Sequence, residues 1–192
     1  MQFGLGITVT SLDEDEVGEI RWLVVDPAKN ALSHVVVADG QGSREGTAVP
    51  VWAVSRAEDS LVSLETDAAS VVRFPRFGLR RSPGHEAPAV PHEPGDFPFL
   101  FPEDGSLPAA AVALAADTEV RCRSQTLGTL AAVFADDYTA EVTTLVVRLK
   151  EEDKLVDIPM SWVRDLTRSA IRLDCHPEDV ATLPATAWQP AS

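Results

Sequence analysis

Hydrophobic positions along this chain fall in short bursts, without helical spacing. GEIRWLVVD (18–26), SHVVVAD (33–39) and TTLVVRL (143–149) are rich in β-branched residues and bounded by turn formers, the signature of short strands. Between the first two lies Asp26-Pro27-Ala28-Lys29-Asn30. Pro27 presets one φ angle there and Asn30 tolerates a left-handed one, which predicts a hairpin. Two further segments, DAASVVRFP (67–75) and PEDVATLP (177–184), predict a helical turn or two. Asp67 and Pro177 stand where a cap or first-turn residue belongs.

The pattern occurs twice. VGEIRWLVVDPAKNALSHVVVA from Val17 aligns without a gap to LGTLAAVFADDYTAEVTTLVVR from Leu127, an offset of 110. Gly18 falls on Gly128, Asp26 on Asp136, Val36 on Val146 and Val37 on Val147. One residue is then lost in a loop. At an offset of 109, Pro50 falls on Pro159, Val54 on Val163, Leu64 on Leu173, Val71 on Val180 and Pro75 on Pro184. A chance match does not keep one register through two blocks, so an internal repeat is expected. Five or six short strands per copy predict a small barrel, which leaves no exposed sheet edge.

The glycine, the VVDP turn, the VVV strand, the VP step and the closing FP resemble the PRC-barrel family. That family is named for the H subunit of the photosynthetic reaction centre, and its barrel also forms the C-terminal domain of the ribosome-maturation factor RimM. Here the resemblance rests on Gly18, Val24, Val25, Asp26, Pro27, Val35, Val36, Val37, Pro50, Val54, Leu64 and Pro75. In the second copy it rests on Gly128, Asp136, Leu145, Val146, Val147, Pro159, Val163, Leu173 and Pro184. It implies a compact barrel used as a protein–protein contact surface, with no shared catalytic residue. No stretch of this sequence resembles the membrane anchor of the reaction-centre subunit or the RimM N-terminal domain, so neither is expected here. A fold alone licenses neither of those roles.

The expected architecture is all-β: a first PRC-barrel-like repeat at 1–75, a proline-rich linker at 76–115, and a second repeat with its tail at 116–192. The linker holds seven of the fourteen prolines, a density that favours extended, semi-rigid chain. Within it, Phe97, Phe99 and Phe101 flank Leu100 in the densest aromatic cluster of the protein. Apolar clusters of this kind make contacts, either with the chain's own barrels or with a partner. Trp22 alternates with Ile20 and Val24, which places it in the core or on the face between barrels. Trp52 and Trp162 follow the matched prolines one position out of register, which leaves packing roles or a ligand cage open. Trp188, in the tail, is expected to cover an open surface.

Charge narrows the partners. A formal net charge of −14 repels phosphate backbones and anionic lipid at long range, so nucleic acid and bare membrane are poor candidates. Arg73, Arg76, Arg80 and Arg81 are the one basic cluster, and a solvated boundary suffices to explain them. The longest apolar run, AAAVALAA at 109–116, is too short to span a bilayer. The N-terminus has no signal-peptide pattern, so a cytoplasmic, reduced setting is expected, with Cys122 and Cys175 as free thiols by default and a disulfide between them as the alternative.

Chemistry is sparse. No P-loop, GxGxxG, GxSxG or HExxH pattern occurs. His34 sits among strand valines, and His85 and His92 lie in the linker. The acidic run Asp13–Glu16 lacks the alternation and glycine of a calcium loop. The expectation is therefore a non-catalytic protein-binding or scaffold module, with no cofactor or metal. Its duplicated barrels would form an internal pseudo-dimer, and a protein partner or self-association would engage Trp22, Trp52, Phe97, Phe99 and Phe101. The alternative is a small-ligand or metal-binding protein with its site between the barrels.

Overall fold

The computed structural model of the protein describes residues 1–39, 43, 45–80, 99–100, 110–151, 154–167 and 169–189. In chain order the elements are β1 (Gln2–Gly4), β2 (Thr8–Thr10), β3 (Glu16–Asp26), β4 (Ala31–Ala38), β5 (Glu45–Pro50), a 3₁₀ turn at Val51–Ala53, β6 (Val54–Ala57), β7 (Leu61–Leu64) and α1 (Ala68–Val71). Then come β8 (Arg76–Arg80), β9 (Phe99–Leu100), β10 (Val112–Leu114), β11 (Glu119–Cys122), β12 (Gln125–Ala135), β13 (Val142–Leu149) and β14 (Leu155–Pro159). A second 3₁₀ turn at Met160–Trp162, β15 (Val163–Leu166), β16 (Ala170–Leu173) and α2 (Pro177–Ala181) complete the order. The protein is mostly β, in two sheets.

The strand order is the same in both sheets. The first runs β6-β7-β2-β3-β4-β5 and continues into β8 and β9; the second runs β15-β16-β11-β12-β13-β14. Each contains one parallel pair, β2 with β7 and β11 with β16. Register shifts coincide as well: Ile20/Trp22 in the first sheet matches Leu130/Ala132 in the second. The paired glycines have a shared physical cause. A Cβ on Gly18 would lie 2.7 Å from the Ala38 carbonyl oxygen, and one on Gly128 would lie 1.9 Å from that of Arg148. Only a residue without a side chain lets these strands approach so closely.

The bulge after Ile20 corrects one expectation. Ile20, Leu23 and Val25 enter the main core, whereas Trp22 and Val24 belong to a separate small cluster with Val36, Ala48, Phe77 and Ala113. The extra residue flips the alternation, so Ile20 and Trp22 do not share a face. Hydrogen bonding also leaves the sheets open among the described residues, where closed barrels were expected. Pro50 ends β5 without an N–H to donate, and the 3₁₀ turn carries the chain into β6 with no β5–β6 pairing.

The two sheets exchange strands. β1 lies antiparallel on β12, with Phe3 opposite Val133, and β10 lies antiparallel on β3, with Leu114 opposite Leu23. Each leading strand is thus hydrogen-bonded into the other half. The two hairpin turns also meet at matched positions, through a bridge between Ala31 and Glu141. Across it Leu32 N donates to the Ala140 carbonyl (2.9 Å), and Val142 N donates to that of Asn30 (2.7 Å). Asn30 (φ 49°) and Ala140 (φ 56°) both adopt the left-handed conformation that turns these carbonyls outward.

One apolar cluster spans both halves. Phe3, Leu23, Leu114, Leu130 and Val133 are all buried in it, each side chain stabilising the fold by roughly 1.5–3 kcal/mol. Trp188 of the tail is 4% exposed and lies over β1, where a Cβ on Gly4 would come within 2.7 Å of its ring. Parts of 76–115 belong to the sheets: β8 pairs with β5, and β10 with β3. Phe77, buried at 1% exposure, supplies the apolar area that holds β8 in place.

Candidate functional site

Two aromatic side chains stand largely in solvent among the described residues: Tyr138 in the second hairpin turn and Trp52 on the first half, and only Trp52 has a second aromatic ring packed against it. Val51 and Ala53 turn inward from the 3₁₀ turn, which leaves Trp52 pointing out, 75% exposed. Its ring meets the edge of Phe74 at 6.2 Å and 76°, a favoured aromatic geometry. Phe74 follows α1, whose start is fixed twice. The Asp67 carboxylate accepts from Ser70 N (2.8 Å), and the Asp13 carboxylate accepts from Ala68 N (3.2 Å) and from Ser11 Oγ (2.5 Å). These bonds hold the Asp13 carboxyl below its ordinary range. Val72, at the end of α1, is 63% exposed. Arg73 and Arg76 are exposed beside it.

The second half has no such surface at the matched positions. Trp52 corresponds to Ser161, Val72 to Ala181 and Phe74 to Leu183. Its own tryptophan, Trp162, takes the place of the buried Ala53 and packs, half-buried, against the main core. The one-residue offset of these tryptophans thus gives one of them to solvent and the other to packing.

Trp22 is half-buried and stacks on Phe77 at 5.2 Å and 40°. It lies in the small second cluster rather than at the Trp52 surface. Phe97 and Phe101 lie outside the described residues, as do His85 and His92. Phe99 lies in β9, where its backbone pairs with Arg80 of β8. Sequence reasoning overlooked Phe74 and Phe77 as contact residues. The signal was the RFPRF run at 73–77, which places one aromatic under each first-half tryptophan.

Two open clefts sit at matched places, each within one half. The larger, about 680 Å³, lies between α2 and the strands of the second sheet, lined by Thr126, Leu127, Lys150, Glu178 and Val180 among others. The smaller, about 360 Å³, lies beside α1 and includes Val17, Val37, Thr47, Val71 and Arg76. No group of three or more His, Cys, Asp or Glu positioned for a metal occurs among the described residues. No helix among them is long and apolar enough to cross a membrane. His34 is half-buried, and burial pushes its pKa down. No protein-family model matches the chain, and no curated protein matches it.

Proposed function

We propose that the protein is a non-catalytic binding module in which two PRC-barrel-like copies form an internal pseudo-dimer, with a partner docking on the first copy. The matched strand order, the reciprocal strand exchange and the turn-to-turn bridge are what two-fold pairing of identical subunits produces. Duplication within one chain frees the copies to diverge, one for stability and the other for recognition. The observation that carries the binding role is Trp52, a tryptophan held 75% exposed by a rigid turn where the sister copy has Ser161. Tryptophan is the residue most enriched at interface hot spots. Its conformation is set in advance by Val51 and Ala53, so little ordering entropy is lost on binding. The contact set is Trp52 and Phe74, with Val72 beside them; Trp22 serves to hold Phe77 and β8.

The test is Trp52→Ser, which copies the second half. Tagged protein from the native host is compared with this variant by mass spectrometry of what co-purifies. A stoichiometric partner lost from the variant by tenfold or more, with an unchanged melting temperature, is the expected result. A partner retained equally by both proteins removes Trp52 from the interface.

A further inference from the structure

The second half places its two cysteines side by side. Cys122 ends β11 and Cys175 lies between β16 and α2, with their Sγ atoms 3.6 Å apart. Cys122 Sγ also donates to the Cys175 carbonyl. The joint has a counterpart in the first half. There Ser11 follows β2 as Cys122 ends β11, and Thr66 precedes α1 as Cys175 precedes α2. Ser11 N bonds to the Asp15 carbonyl just as Cys122 pairs with Gln125. One joint thus carries two hydroxyls and the other two thiols, and both members differ together. Packing alone explains one buried cysteine, since free cysteine behaves as a small hydrophobe. A second thiol in contact with it is what disulfide chemistry needs.

We propose that Cys122 and Cys175 form an oxidisable dithiol, closed by a peroxide into a disulfide that fastens the end of β11 to the start of α2. One cysteine, as thiolate, attacks a peroxide oxygen and breaks the O–O bond, giving a sulfenic acid and, after protonation, water. The other sulfur attacks the sulfenic sulfur, forms the S–S bond and expels the second water. The two thiols lose two electrons and two protons, and hydrogen peroxide is reduced to two waters. The sulfurs must close from 3.6 Å to about 2.05 Å.

Access and ionisation make the reaction slow. Cys122 is fully buried and Cys175 only partly exposed. Burial and the neighbouring Cys122 push the Cys175 thiol up to about 12, far from the thiolate that reacts fastest. The pair therefore responds to sustained oxidation rather than to a brief pulse. Closure acts on a wall of the larger cleft, because Pro177, Glu178, Val180 and Ala181 of α2 line it opposite Gln125 and Thr126.

The experiment treats the purified full chain with hydrogen peroxide over hours, then applies intact mass measurement and non-reducing peptide mapping. The expected product has lost two hydrogens, links the Cys122 and Cys175 peptides, and melts roughly 5 °C or more higher until dithiothreitol is added. The double variant Cys122→Ser with Cys175→Thr reproduces the first-half joint. It should keep the untreated melting temperature within a few degrees and show no peroxide-dependent rise. Sulfinic acid at either cysteine, or an intermolecular dimer, without the internal link overturns the proposal. So does an unchanged thiol count in folded protein when the urea-denatured chain oxidises under the same treatment. Trp52 plays no part in these readouts, so the outcome is independent of the binding role.

Discussion

The two halves share strand order, bulges and close-approach glycines, yet they differ at several positions where side chains leave the shared core. The first presents Trp52 and Val72 to solvent; the second has Ser161 and Ala181. The first carries the half-buried His34 on β4, and the second carries Thr144 at the matched place. Ahead of its helix the first has Ser11 and Thr66, and the second has Cys122 and Cys175 at the matched places. The first extends its sheet with β8 and β9, while the second sends its tail back over β1 as Trp188. The close-approach glycines are thus the same in both halves, while exposed and joint positions carry different residues. Each half therefore serves as an internal reference for the other, and exchanging residues between them is the natural perturbation.

The largest effect should come from separating the halves. With β1 on β12 and β10 on β3, either half alone loses a strand and exposes apolar faces such as those of Leu23 or Val133. A unit of that size buries too little surface to compensate. Residues 1–80 and 110–192, expressed singly, should show no cooperative melting. Co-expressed, they should co-purify in equal amounts and melt in a single transition. Independent folding of either piece, by circular dichroism and calorimetry, would show that the shared core is dispensable.

Much of this architecture was legible because it rests on local chemistry. The VVDP turn, the β-branched strands and the repeat at offsets of 110 and 109 gave the elements and their matching. The face of Trp22 was not legible, since one bulged residue between Ile20 and Trp22 reverses the alternation with no glycine or proline to mark it. Strand exchange was hidden too. Val112–Leu114 looks the same in sequence whether it pairs within its own half or with β3, because partner choice depends on contacts far along the chain. Exposure of Trp52 was half legible: the VPVW step sets a turn after β5, but the direction of each turn residue depends on the 3₁₀ geometry. The pairing of Cys122 with Cys175 follows from β11 running parallel to β16, which neither residue's neighbours reveal.

A smaller effect should follow pH. Burial lowers the pKa of His34 from 6.5, so its neutral form is favoured in the folded state. The unfolded chain then binds the proton more readily. This contribution to stability is fully present above about 6.5 and is lost as pH falls below it. His34→Thr, the second-half residue, should flatten the dependence of melting temperature between pH 7 and 5, and should leave any decline below pH 4 unchanged. The lower range belongs to Asp13 and Asp136, whose carboxyls lie below 3.8 because backbone and hydroxyl donors favour the charged form. Their stabilisation is present above that value and disappears as pH falls through the folded pKa. If the variant retains the wild-type slope between pH 7 and 5, the titrating group is another one.

The smallest effect separates the two hairpin turns. Asn30 and Ala140 hold the same left-handed conformation and offer their carbonyls to Val142 and Leu32 of the opposite half. Asparagine tolerates that conformation, whereas alanine pays about 1–2 kcal/mol for it through its Cβ. Ala140→Gly removes the steric cost and adds chain entropy to the unfolded state, so a net gain of about 0.5–1 kcal/mol is expected. Asn30→Ala should lose a similar amount, read as opposite shifts in the urea midpoint at constant slope. The Ala140→Gly shift measures what the second half gives up by keeping alanine at a position where the turn-to-turn bridge fixes the backbone, and the Asn30→Ala shift measures the same cost in the first half. If Ala140→Gly destabilises instead, the packing of the Ala140 methyl against the core outweighs the strain of its conformation. The bridge would then be held by that contact and not by turn geometry alone.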